Sequence, residues 1–397
     1  MSRPMYPLLS EVGSCLVTLS GVGGALGVSG PVDDRGRENC PRSVLWHGKV
    51  LATMIAAREV RMSVLDTVPI VQGMDAATAL RNAVELARFV DDLGYHRYWI
   101  PEHHGMSGVA SVAPAVVSER VASVTRRIRV GAGGVMLPNR APIVVAEQFG
   151  TLEAFHPGRI DLGLGRASGG PRDIVDRVRS ETDRTAAPFR YQVRELLALF
   201  EAPDSDGRTV AVPAVGNRPE IWMLGSSDYT ARIAGDLGLP FAAAHHLKPN
   251  NTIAAVRAYL RAFQPSSWCP TPRILISVAV IVADSAEHAH WLAGSLRMKI
   301  DHRRQGRPIR LPSPQTAEAQ GYSTSSPIDD IATGVFVGEV ATVLEKLRSL
   351  VHATGATELM VKTDLFDPND RYHSYELLKN NEHQPLMVTP STSPARS

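Results

Sequence analysis

The stretch Tyr98-Trp99-Ile100-Pro101-Glu102-His103-His104-Gly105 ends an apolar, strand-like run with one carboxylate and two imidazoles in successive positions. Burying ionisable groups without partners is costly, so they gather where a buried strand stops only if a partner, a ligand or water meets them there. Three readings fit this run alone: a solvated loop, a metal site, or one wall of a pocket. The metal reading is the weakest, because neighbouring residues on an extended chain point to opposite faces and do not readily share one ion. The architecture that presents this strand end decides between the other two.

On both sides of it, strands and helices alternate. Predicted strands cover 61–66, His96–Ile100, Ile128–Val135, Arg159–Leu164, Glu220–Leu224, Phe241–Ala244, Arg273–Val282 and Glu358–Val361. Helical spacing of apolar residues is clear at Leu80, Val84, Ala87 and Val90 within Ala76–Leu93, where Gly94 supplies a stop. Further helices are predicted over Pro114–Ser123, Pro142–Phe155, Tyr191–Phe200, Tyr229–Leu237, Asn250–Phe263 and Glu339–His352. Eight strand-and-helix units over roughly 300 residues fit an α/β fold of the parallel (β/α)8 TIM-barrel type better than an open doubly wound sheet. Such a barrel carries its chemistry at the strand C-termini. The stretch 301–330, rich in Arg, Pro, Ser and Gln, is too long for an idle connection before the last strand and is expected to act as a mobile lid.

The chain ends read differently. Residues 1–60 are rich in Gly and Ser and show no sustained period, so a poorly ordered N-terminal extension is expected, followed by a barrel domain over 61–385 and a disordered tail over 386–397. Glu11 falls where a signal peptide needs apolar residues, and Val12-Gly13-Ser14-Cys15 has no apolar run before it, so a cytoplasmic location is expected. Cys15, Cys40 and Cys269 have neither metal spacing nor an even disulfide framework. The 42 basic residues are dispersed among 40 acidic ones, and aromatics are not interleaved with basic clusters, so neither nucleic acid nor a membrane is an expected partner.

A barrel would bring Glu102-His103-His104, Gly131–Asn139, Gly163–Arg166 and Leu224–Thr230 to one pocket. The run Leu224-Gly225-Ser226-Ser227-Asp228-Tyr229-Thr230 joins a strand to a helix, and its hydroxyls and first N–H groups suit a phosphate, with Arg166 as a bidentate cation. Simple N-capping by Ser227 or Asp228 is the plainer alternative. Gly131-Ala132-Gly133-Gly134 is a costly run inside a strand, and suggests either a bulge at the barrel rim or a backbone that approaches a flat ligand closely.

Taken in order and interval, Trp99 to His104, Arg129-Val130-Gly131 with Val135-Met136-Leu137-Pro138, Glu147, His156-Pro157-Gly158-Arg159 with Gly163 to Arg166, and Gly225 to Thr230 resemble the bacterial luciferase-like flavin monooxygenases, in particular single-chain members from natural-product gene clusters. The resemblance covers 61–385. It implies a parallel barrel that takes reduced FMN (FMNH2) from a separate NAD(P)H:flavin reductase, forms a flavin 4a-hydroperoxide with O2, and oxygenates a small organic substrate. It also implies a homodimer joined by helices of the first barrel units. By the same resemblance His103 is the acid-base group, Gly133-Gly134 a cis pair beneath the flavin, Glu147 a supporting acid, and Arg166, Ser226, Ser227 and Thr230 the phosphate contacts. Glu102, next to His103, is a candidate to orient or retune it. Gly165 stands where light-emitting members carry a cysteine, which argues against bioluminescence, and His245-His246 in place of an indole implies a more polar substrate pocket. Two rivals remain: a deazaflavin-dependent hydride-transfer oxidoreductase on the same barrel, and a non-catalytic flavin-binding protein.

Overall fold

The structure, a computed structural model, describes residues 16–20, 25–29, 60–167, 169–178, 188–201, 211–323 and 334–381. Its strands are β1 (Arg61–Leu65), β2 (Arg97–Ile100), β3 (Arg129–Met136), β4 (Ile160–Gly165), β5 (Glu220–Gly225), β6 (Phe241–Ala244), β7 (Ile274–Ala283), β8 (Val335–Glu339) and β9 (Glu358–Lys362). From β1 to β7 each strand pairs in parallel with the next, and β9 pairs with both β7 and β1, so eight parallel strands close into the expected barrel. β8 is an addition outside the closed ring. It pairs with the C-terminal half of β7, Val335 opposite Ala279 through Glu339 opposite Ala283. It falls in the gap between the stretch expected as a lid and the helix predicted from Glu339, where no strand was predicted.

The helices are α1 (Ala76–Asp92), α2 (Pro114–Ala122), α3 (Pro142–Phe155), α4 (Arg172–Val178), α5 (Phe189–Leu199), α6 (Asp228–Asp236), α7 (Thr252–Ala262), α8 (Ala286–Arg304), α9 (Pro314–Ala319), α10 (Val340–Thr354) and α11 (Pro368–Asn380). α1 shows how the sequence sets them. The Asp75 carboxylate accepts from the Thr78 amide to start it, and Ala79, Ala83, Val84, Leu86, Ala87 and Val90 form its buried stripe. α4, α9 and α11 were not anticipated. Within the segment read as a lid, 301–304 completes α8, and Gln72 donates to the Leu311 carbonyl at 2.9 Å, tying the following loop to the turn after β1. Residues 324–330 of that segment lie outside the described residues. Ahead of the barrel, Leu16–Ser20 and Ala25–Ser29 pair as an antiparallel hairpin, an element the reading of residues 1–60 did not contain.

The barrel interior is layered, and the layers position the site. At the strand N-termini, fully buried Arg97 donates to Asp161 (2.8 Å), Glu358 (2.8 Å) and Glu220 (3.0 Å), while Arg129 and Arg273 complete the pairing of Asp161 (2.6 Å) and Glu220 (2.8 Å). Ser63 donates to Glu358 in the same layer. Above it Trp99 and Trp222 meet edge to face at 5.7 Å among Leu65, Ala242, Leu275 and Met360. The Trp99 indole N–H donates to Asp161 at 2.8 Å, locking the two layers together. This end of the barrel is therefore shut, and only the strand C-termini open onto space.

Candidate active site

Above the indole layer lies a cavity of about 660 Å³, within the range of small-molecule sites. His103, Gly133, Gly134, Arg166, Ser226, Ser227 and Thr230 all line it, although they come from four different strand ends. Glu147 is not among the lining residues; it is part-buried on α3. Among the described residues no three His, Cys, Asp or Glu side chains gather as a metal site needs, and no helix is long and apolar enough to cross a membrane.

The three ionisable groups after β2 separate into two systems. Glu102 is fully buried, its Oε1 2.7 Å from His104 Nε2 and accepting from Arg140 at 2.8 Å, its Oε2 accepting from the Met136 amide at 3.1 Å. The carboxylate thus ties the β2 end to the β3 end and does not contact His103. This corrects the expectation that Glu102 orients His103. That part falls to buried Ser111, whose Oγ is 3.2 Å from His103 Nδ1 and whose carbonyl accepts from the His103 amide at 2.8 Å. With Nδ1 engaged, Nε2 is the nitrogen left for a ligand. Burial, helped by the Lys362 and Lys299 charges, pulls the His103 pKa down to about 4. The imidazole is therefore neutral at pH 7, able to hold or accept one proton.

The Gly133–Gly134 peptide is cis, as the resemblance implied. The chain itself also requires the glycines. A Cβ on Gly133 would lie 2.8 Å from Trp99 Cβ, and one on Gly134 would lie 2.5 Å from the Gly163 carbonyl oxygen. The chain's own indole layer and neighbouring strand already demand glycine there, before any ligand is considered. The β3–β4 register also shifts between Gly133 and Val135, so the bulge reading holds as well.

Across the cavity, α6 begins at Asp228 with Ser227 as its N-cap, yet the Ser227 side chain makes no capping hydrogen bond. The plainer alternative of a spent cap is thereby set aside for Ser227. Thr230 is buried one turn on, packed against Gly225, and the Arg166 guanidinium lies 4.6 Å from the Tyr229 ring centroid. Hydroxyls, a helix N-terminus and a stacked guanidinium in one corner suit a phosphate chemically.

Sequence reasoning missed the wall opposite. Lys362 pairs with Asp364, which also accepts from Thr67 at 3.0 Å, and Lys299 of α8 lines the same wall. Burial opposes the charge on Asp364, but the Lys362, Lys299 and Arg371 charges outweigh it and hold the carboxyl well below its usual range. His246 lines the cavity with Nδ1 2.9 Å from Ser277 Oγ, whereas His245 stacks on Phe336 and bonds Thr252. Burial, with Lys362 adding to it, lowers His246 to about 3, so it too is neutral. Lys362 and Asp364 follow the predicted strand Glu358–Val361 and fall under the strand-end rule, whereas no spacing rule points to Lys299 of α8, which only closure of the barrel brings beside them.

A closed parallel barrel, sealed at one end and carrying its polar groups round a cavity at the other, defines the TIM-barrel enzyme class. Within that class the chain belongs to the luciferase-like monooxygenase family, whose model matches residues 60–358, and so to the oxygenating oxidoreductases. It is 40% identical over 324 residues to the uncharacterized protein YvbT of Bacillus subtilis (strain 168), covering 81% of this chain and 96% of that protein. A luciferase-like monooxygenase of Escherichia coli (strain K12) is 38% identical over 322 residues, with 81% and 96% covered. Among solved structures, apo-MsnO8 matches with a TM-score of 0.76 at 35% identity, covering 81% of this chain and 97% of that one.

Proposed function

We propose that the protein is a two-component monooxygenase, taking FMNH2 from a separate NAD(P)H:flavin reductase in the cytoplasm and using O2 to oxygenate a small organic substrate. The observation that carries this reading is the presence, in one cavity, of a phosphate-suited corner and a neutral histidine held by Ser111. Arg166, Ser226, Ser227 and Thr230 would hold the flavin phosphate, and Gly133-Gly134, which lie in the cavity wall, would face its ring system. The bound flavin supplies activated oxygen. His103 then holds or moves a proton at Nε2, at the edge of a site from which the described part of the expected lid after α8, 305–323, helps to exclude water. Glu147 supports the site from α3 without touching the ligand. A homodimer joined through α2 and α3, where Val116, Val144 and Phe155 are exposed, belongs to the same proposal.

The test is an anaerobic titration with FMNH2, followed by mixing with oxygen, beside a parallel titration with a reduced deazaflavin. Tight FMNH2 binding and a transient absorbance absent from FMNH2 and oxygen alone are expected. Anaerobic turnover with the deazaflavin, and none with FMNH2 and oxygen, would replace the proposal with the hydride-transfer reading. FMN held without any oxygen transfer would leave a flavin-binding protein.

A further inference from the structure

Helix α8 places two cations, Lys299 and Arg303, one turn apart on the face that lines the cavity. Lys299 is the telling one. Its Cε would be 3.9 Å from a Cβ on Gly108, so its stem is packed under the loop that follows β2. Among the described residues none gives its ammonium a hydrogen bond or an ion-pair contact; the Asp364 carboxylate acts on it from beyond that range. Burial pushes this amine below its usual range, against the opposing charge of Asp364. A cation set into a wall without an acceptor is costly unless a ligand brings one.

The cavity's own charges do not supply it. Asp364 is the acid among its lining residues, and Lys362 and Thr67 already occupy that carboxylate. The proposed phosphate corner has its own cation in Arg166, beside the hydroxyls of Ser226, Ser227 and Thr230, and Lys299 comes from a separate element, α8. Leu296, Ile300, Met106, Ile309 and Met360 give the same cavity apolar lining.

We propose that Lys299, with Arg303 at the mouth, forms a second anion subsite that holds the carboxylate of the organic substrate, whose apolar body lies against the α8 wall. A planar carboxylate offers two oxygens, which matches one ammonium and one guanidinium. The subsite deepens the proposed function by naming a substrate class, and rests on that reading only for the fate of the bound acid; the recognition itself needs no flavin.

Calorimetric titration of the full chain without flavin, using N-acetylmethionine and hexanoate against their methyl esters, tests this. Acids should bind about tenfold or more tighter than esters, Lys299→Met should abolish that preference, Arg303→Met should weaken it less, and Lys299→Arg should keep most of it. FMN affinity, read by fluorescence quenching, should be unchanged in all three variants. Equal binding of acids and esters, no binding of either acid, or a Lys299→Met loss that falls on FMN as well would overturn the subsite. Should Lys299→Met fail to fold, Lys299→Arg with Arg303→Met still decides it, since acid affinity unaffected by Arg303→Met and lost in Lys299→Arg contradicts the pairing. A wild-type protein that prefers the acids but ignores FMNH2 would sink the flavin reading and leave the subsite standing.

Discussion

The two ends of the barrel are built from the same kinds of residue, and only one of them has anything left over. At the strand N-termini Arg97, Asp161, Glu220 and Glu358 are all within hydrogen-bond distance of an opposite charge, and two indoles cover them. At the C-termini Glu102 is answered in the same way by His104, Arg140 and the Met136 amide, but His103 offers one nitrogen to a cavity and Lys299 has no contact partner among the described residues. Charge fully answered by the protein is architecture. Charge left for a ligand is where function is to be sought.

Several substitutions would break or sharpen this contrast. Arg97→Met should cost the most stability, about 3–5 kcal/mol by denaturant titration, because it leaves buried Glu358 without a cation and takes one from Asp161 and Glu220. A loss under about 1 kcal/mol would show the sealed end to be far less of a support than its geometry implies. His103→Gln should do the reverse, changing stability by less than about 1 kcal/mol while slowing the oxygen-dependent flavin step about 100-fold in stopped flow. Equal rates in the two proteins would remove His103 from the chemistry. Gly133→Ala should cost about 1–3 kcal/mol by pushing a methyl into Trp99, a packing penalty that reaches the functional end from the layer beneath it.

The smallest effect expected is that of pH. An unfolded histidine takes a proton near pH 6.5, whereas His96, neutralised by burial and by Arg97 and Arg61, resists protonation down to about 3, and His103 down to about 4. The unfolded chain therefore gains protons first, and stability should fall as pH drops from 6.5 towards 4. Below that, Glu220 joins in. Burial raises its pKa, but Arg97, Arg273 and Arg129 prevail and hold it at about 2, so its stabilisation is lost only between 4.5 and 2. Melting curves at pH 7.5 and 5.5 should show the drop, and His96→Gln should make it shallower. An acid limb of the oxygen-dependent step near pH 6.5, rather than below about 5, would contradict the neutral His103.

Much of this was legible beforehand. Helix and strand bounds from 61 to 362 came within two residues wherever a period of 3.6 or a run of apolar residues was long enough to read, as in Pro142–Phe155. The short helices α4 and α9 were not, for want of a period, and β8 was not either, although strands as short as Phe241–Ala244 were. Of the site, the segments that turned out to face the cavity were legible because each sits where a strand stops, and barrel topology sends all strand ends to one side.

What a side chain does once it arrives there was not legible. The sequence by itself determined the barrel and its polar face, which follow from local periodicity and the punctuation at strand ends, while the choice of His103, Gly133-Gly134, Arg166 and Ser226-Ser227 within those strand ends came from the family resemblance. Only the tertiary structure decided that Glu102 serves Arg140 and not His103, that Trp99 is what forbids a side chain at Gly133, and that Lys299 is left unanswered beside Asp364 and Lys362. Partners of a buried charge are set by which elements close upon it, 261 residues away for Arg97 and Glu358, and electrostatic and steric terms act through distance in space while the chain records only distance in sequence.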